Sequence, residues 1–251
     1  MSFFTRPKRV SPLPEHLEVV LGGRVVDVRL RTNVRARRYT LRLGRAGGEP
    51  VVTIPPGGSL AGARSFLDAH AGWLMQRLAA RPGPRPIEDG ATLPLRGVIH
   101  RIEHRPGRRG TAWVEAAPNG PVLAVAGDAE HLPRRVVDWL KREARTDLDA
   151  AVFRYASMID KRVTAIRIRD QKGRWGSCSS RGSLSFSWRL ILAPPMVLDY
   201  LAAHEVAHLR EMNHSAAFWR LLHRMCPETD RAEAWLKREG ASLHLFGAGE
   251  A

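Results

Sequence analysis

The chain has 251 residues, 44% of them hydrophobic, enough to bury a sizeable core in one large or two small domains without disulfide staples. Its two cysteines, Cys178 and Cys226, match no paired-cysteine zinc pattern. No apolar run suits a signal peptide or a membrane span, so the sequence reads as cytoplasmic with no membrane partner. The net charge of +15 is uneven: residues 1–110 carry 20 basic and 8 acidic side chains, residues 111–251 carry 20 and 17. That front-half excess suits a weak association with nucleic acid through phosphate contacts, although an arginine-rich composition gives the same count.

Residues 1–16 read as a flexible basic tail. Short strands follow at Leu17 to Leu21, Val25 to Leu30, Tyr39 to Leu43 and Val51 to Ile54, the first two joined by a Gly22-Gly23 hairpin signal. Ser59 suits the cap of one helix reaching about Ala80, with Ala63, Phe66, Leu67, Ala71 and Leu74 at helical spacing and Trp73 and Leu78 extending its buried side. After a Pro-rich connector come strand-like pieces at Val98 to Glu103, Ala112 to Glu115 and Val122 to Val125. Residues 17–128 thus form a β-rich region with one helix.

The pattern changes at Ala129. Leu132, Val136, Trp139, Leu140, Ala144, Leu148, Ala151 and Tyr155 trace a helical stripe reaching Met158 or beyond. Two strands are expected next, Val163 to Arg169 and Ser183 to Ile191, the second with Leu184, Phe186, Trp188 and Leu190 alternating with Ser185, Ser187 and Arg189. Pro194-Pro195 opens a helix running towards Glu211.

That helix carries His204-Glu205-Val206-Ala207-His208. Two imidazoles four residues apart project from successive turns and can bind one tetrahedral Zn²⁺, while Glu205 is placed to take a proton from a water there. His214 follows six positions after His208, which lowers the chance of an accidental match from about 0.02 to about 0.001. A continued helix would turn His214 about 240° away, so the helix must break first. Glu211-Met212-Asn213 is the expected break, with Asn213 left-handed and Ser215 capping a new helix through Ala217, Phe218, Leu221 and Leu222. Glu211, Glu228 and Glu233 are acidic substitutes for His214 as third ligand.

Arg174-Trp175-Gly176-Ser177-Cys178, the segment Leu184 to Leu190, and His204 to His208 continuing to Met212-Asn213-His214-Ser215 with Phe218-Trp219 resemble the YgjP-like metal-dependent hydrolases, relatives of SprT-like and WLM zinc metallopeptidases. Arg37-Arg38-Tyr39 to Pro55, with Phe66 and Trp73, resembles the front half of the same family. The resemblance implies a zincin-type catalytic fold and a metallopeptidase, carried onto His204, Glu205, His208 and His214. The metzincin pattern has glycine where Glu211 stands here.

The expected architecture is therefore α+β: a β-rich front half with one helix, then a zincin-like half, residues 129–251, with the HExxH helix under a small sheet. The expected cofactor is one Zn²⁺ and the expected partner a peptide or protein substrate. Arg174, Ser177, Ser185, Ser187 and Tyr200 are candidate substrate contacts, the Ser183 to Ile191 strand a candidate partner for an extended peptide, and Cys178 a candidate fourth ligand. Two other functions fit the residues: a basic nucleic-acid-associated protein with structural zinc, and a zinc hydrolase of a non-peptide amide or ester.

Overall fold

A computed structural model describes residues 13–44, 49–79, 83–171 and 173–247, so most of the expected basic tail lies outside the described residues. The architecture is α+β, with three small sheets and six α-helices among those residues. Contacts divide the chain into two compact units, Met1–Arg81 and Pro82–Ala251.

The first unit holds a four-stranded sheet of β1 (His16–Leu21), β2 (Arg24–Thr32), β3 (Thr40–Leu43) and β4 (Pro50–Ile54), in the order β1-β2-β4-β3. Gly22 and Gly23 both adopt positive φ, 54° and 78°, to close the β1–β2 hairpin. Alternate residues Leu17, Val19 and Leu21 on β1 face Val26, Val28 and Leu30 on β2 in one buried layer. The expected single helix is two, α1 (Leu60–Ala69) and α2 (Ala71–Ala79). Ser59 caps the first as expected, its Oγ accepting from Gly62 N at 3.0 Å. His70 ends it, its Nδ1–H donating to Phe66 O at 2.8 Å while its ring packs 4.3 Å from that of Phe66. Because the chain turns at His70, Leu74 is buried but Trp73 is 43% exposed, contrary to the expected buried side.

The second unit begins with β5 (Thr92–Leu95), β6 (Val98–Arg105), β7 (Ala112–Glu115) and β8 (Val122–Ala126), ordered β5-β6-β8-β7. Arg96 and Gly97, with φ of 49° and 78°, form the β5–β6 turn. Arg96 holds this uncommon conformation while its guanidinium donates to Asp147 and Glu143, each at 2.8 Å. A turn at Ala129–His131 leads into α3 (Leu132–Met158), and all eight residues of the expected stripe are buried. Leu93, Leu95, Ile102, Leu123 and Val125 share one core with that stripe. The sheet β5–β8 therefore belongs with α3, and the compact units part at Arg81/Pro82, whereas the sequence pattern placed the change at Ala129.

After α3 come β9 (Ala165–Arg169), β10 (Gly176–Cys178) and β11 (Ser183–Ser187), ordered β10-β11-β9, then α4 (Pro195–Ala207), α5 (Ala216–Met225) and α6 (Thr229–Leu243). The strand expected to reach Ile191 stops at Ser187, because residues Trp188–Leu192 coil into a 3₁₀ turn and are buried all round. Arg189 tolerates burial there because its charge is met. Its Nε and Nη2 donate to the Asp170 carboxylate at 2.7 and 3.0 Å, and its Nη1 donates to the carbonyls of Leu243 and Phe246 at 3.0 and 2.6 Å.

This ion pair gives a stability prediction. Burial works to raise the Asp170 pKa, but the hydrogen bonds and charge of Arg189 outweigh it and hold it below the ordinary 3.8. A depressed folded-state pKa contributes stability that is complete above pH 3.8 and lost as pH falls through the lower folded value. Asp170→Asn should therefore flatten the acid limb of Tm against pH in chelator-treated protein, and cost about 2 kcal/mol at pH 7, reduced from the fully buried case because Asp170 is half exposed. Unchanged urea stability at pH 7 would show that the pair contributes nothing.

Candidate metal centre

Helix α4 starts where the prolines dictate, with Pro195 in its first turn after Pro194. It ends sooner than its hydropathy suggests. Ala207 is the last helical residue and His208 the cap, after which Leu209 N donates to Val206 O, and Arg210 N and Glu211 N both donate to Ala207 O, at 2.9–3.0 Å. The reversal is made by these turns and not by a left-handed Asn213, since among the described residues Arg96 and Asp160 are the non-glycines at positive φ. Ser215 then caps α5 as expected, its Oγ accepting from Phe218 N at 3.4 Å.

The turn returns His214 to α4. His214 Nε2 lies 3.1 Å from His204 Nε2, and His204, His208 and His214 each offer a nitrogen within 4.8 Å of the others. Two ligands on one tetrahedral zinc sit about 3.3 Å apart, so the spacing suits a shared ion. Glu211, Glu228, Glu233 and Cys178 do not join this cluster.

The surroundings select the nitrogens. His208 Nδ1 lies 3.0 Å from the Glu211 carbonyl, which only an N–H can satisfy, leaving Nε2 as the lone-pair donor. His204 Nδ1 lies 3.4 Å from Tyr200 Oη, which can accept its proton in the same way. Burial, with added repulsion from His208 and His214, pushes His204 down to about 4. Burial also lowers His208, against the pull of its bond to the Glu211 carbonyl and with help from His214. Both rings are neutral at pH 7, the form that binds a cation.

Glu205 is 4% exposed, and its Oε2 is buried without a protein hydrogen-bond partner. Burial raises its carboxyl to about 7, with Arg174 pulling the other way. Three converging imidazoles, with an orphaned acceptor on the residue that follows the first of them, are what a metal with a water would satisfy, so the donor set fits a zinc ion.

A family model described as the YgjP-like metallopeptidase domain matches residues 37–239. The chain belongs to the YgjP-like metallopeptidase family. A solved metallopeptidase zymogen, abylysin of Pyrococcus abyssi, is similar at 22% identity over 38% of this chain and 94% of its own, with a TM-score of 0.34. No curated protein matches.

In this YgjP-like metallopeptidase the remaining candidate residues separate by position. Strand β11 is paired on both sides, antiparallel to β10 and parallel to β9, so its main chain is not available to a peptide. Ser187 is fully buried, its Oγ accepting from Arg189 N at 3.3 Å, which removes it from substrate contact. Ser185 and Ser177 face each other across the β10–β11 pair. Arg174 is exposed and its charge reaches Glu205. Trp175 packs its ring 4.7 Å from that of His244. Burial, with the Glu205 charge, pushes the Cys178 thiol up to about 11, and its sulfur does not join the histidine cluster.

Tyr200 is 4% exposed, so it stands behind His204 and not in front of a substrate carbonyl. Tyr200→Phe should weaken zinc binding about 10-fold by freeing the His204 ring. Competition with a chromogenic chelator measures this, and an unchanged zinc Kd would leave the tyrosine a packing residue. Gly176 is legible in the sequence only as part of the family-like segment 174–178, without a role of its own. Its Cα faces the Glu205 carboxylate, and a Cβ there would stand 2.5 Å from Oε1.

Among the described residues no helix is long and apolar enough to cross a membrane. Neither the site nor the family match supports an association with nucleic acid.

Proposed function

We propose that the chain is a zinc-dependent peptidase in which His204, His208 and His214 hold one ion and Glu205 is the general base. Two observations carry the reading: three imidazoles converge on a common point, and Glu205, between the first two of them on the same helix, has a buried carboxylate oxygen with no protein partner. A purely structural zinc would need no such proton acceptor. Zinc, when bound, supplies Lewis acidity that brings a water's pKa towards neutrality and polarises a carbonyl.

The protein's own groups do the rest. Glu205, ionised, accepts the proton of the attacking water at its free oxygen and then returns it to the departing amine. Gly176 keeps space for that carboxylate, and Arg174 favours its charged form. With β11 paired on both sides, the edge that remains on the Glu205 side of the sheet is that of β10, and an extended peptide laid along Gly176–Cys178 would find main-chain partners there.

Casein hydrolysis tests the proposal. Cleavage should be lost after dialysis against 1,10-phenanthroline and return when zinc is added. Cleavage that survives the chelator would remove the metal from the mechanism. Turnover of small amides or esters with no peptide cleaved would move the same residues to the non-peptide alternative.

A further inference from the structure

We propose that Phe218 is the shared seat of the metal ligands, a positioning residue that sets the three imidazoles through direct ring contact. The inference rests on the zinc reading of the histidine cluster and goes beyond it by naming what holds the cluster in shape.

Phe218 is fully buried in the first turn of α5, four residues after His214 and anchored there by its own N–H on the Ser215 cap. Its ring touches every candidate ligand. The His208 ring stacks on it at 4.6 Å and 28°, and those of His204 and His214 meet it edge to face at 5.0 Å and 71°, and at 4.8 Å and 90°. Offset-stacked and edge-to-face contacts are the favoured arrangements of π systems. Here one rigid group makes both kinds at once.

Other contacts also restrain these rings, but none reaches all three. His204 and His208 each have one polar contact at Nδ1, from Tyr200 and the Glu211 carbonyl, and the Trp219 ring lies 6.4 Å from that of His204 and 6.0 Å from that of His214, which is exposed on a turn. One flat ring in contact with all three limits how far each imidazole can turn, so the nitrogens stay convergent. An aliphatic side chain of similar volume would fill the space without offering a plane to stack on.

Zinc affinity by chelator competition, with the absorption spectrum of the cobalt-loaded protein, distinguishes this role from ordinary core packing. Phe218→Leu should raise the zinc Kd about 10- to 100-fold and broaden the cobalt bands, whereas Phe218→Tyr, which keeps the ring, should stay within about threefold of wild type. Phe218→Met carries the same expectation as leucine should the leucine variant fail to fold. Leu148→Ala, a vacancy on α3 in the same core, should lower Tm and leave zinc affinity and cobalt spectrum unchanged. A wild-type Kd and spectrum in Phe218→Leu, or an equal loss in Leu148→Ala, would overturn the inference while leaving the zinc reading in place. Wild type that binds no zinc would defeat the zinc reading itself, and this inference with it.

Discussion

Glu205→Gln should lower kcat for peptide hydrolysis about 10³-fold while the protein keeps its zinc. Glutamine matches the shape of glutamate and fills the same buried space, so neither the three imidazoles nor the fold is disturbed. What it lacks is the carboxylate lone pair that accepts a proton and the acid that returns it. Because the group acts on the reacting water, the loss should fall on kcat and leave KM nearly unchanged. The variant also removes a buried carboxyl whose Oε2 has no protein partner, so its chelator-treated form should be at least as stable as wild type. Hydrolysis within tenfold of wild type would show that another group carries the proton.

Gly176→Ala should have the next largest effect, by moving the same carboxylate without replacing it. The added Cβ would lie 2.5 Å from Oε1, 2.8 Å from Cγ and 2.9 Å from Cδ of Glu205, well inside van der Waals contact. Gly176 does not adopt positive φ, so alanine adds no backbone strain and the collision is the whole effect. The Glu205 side chain, 4% exposed, must shift by about an ångström, and a misplacement of that size costs about 10²-fold in rate. Zinc content should be unchanged, which separates this variant from a ligand loss. Full activity in Gly176→Ala would mean that Glu205 works from a different rotamer.

The residues of the site were legible because their chemistry is tied to spacing. Four residues on a helix bring His204 and His208 together, six more demand a turn before His214, and Ser215 marks where the next helix begins. The α3 stripe was equally plain, since a single apolar face over 27 residues leaves little else to form. What stayed hidden depends on partners distant in sequence. Arg189 alternates with apolar neighbours as an outward residue of a strand would, yet it is buried, because Asp170 and two carbonyls, one at the end of α6 and one just beyond it, meet its guanidinium. Strand β5 was missed because four residues with Pro94 among them are too short a run for the alternation of Leu93 and Leu95 to stand out, and it is fixed by pairing with β6. The same sheet was assigned to the front half because its core partners, on α3, come later in the chain. Gly176 and Phe218 stand in segments that resemble the family, but only the fold sets one against Glu205 and the other in contact with the three histidines.

The most direct measurement is zinc content by mass spectrometry on purified wild type, Glu205→Gln, His204→Ala, His208→Ala and His214→Ala. A single tetrahedral centre built by the three histidines predicts about one zinc per chain in wild type and Glu205→Gln, and loss of the metal in each histidine variant. Wild type without zinc, or His214→Ala retaining it in full, would contradict the account.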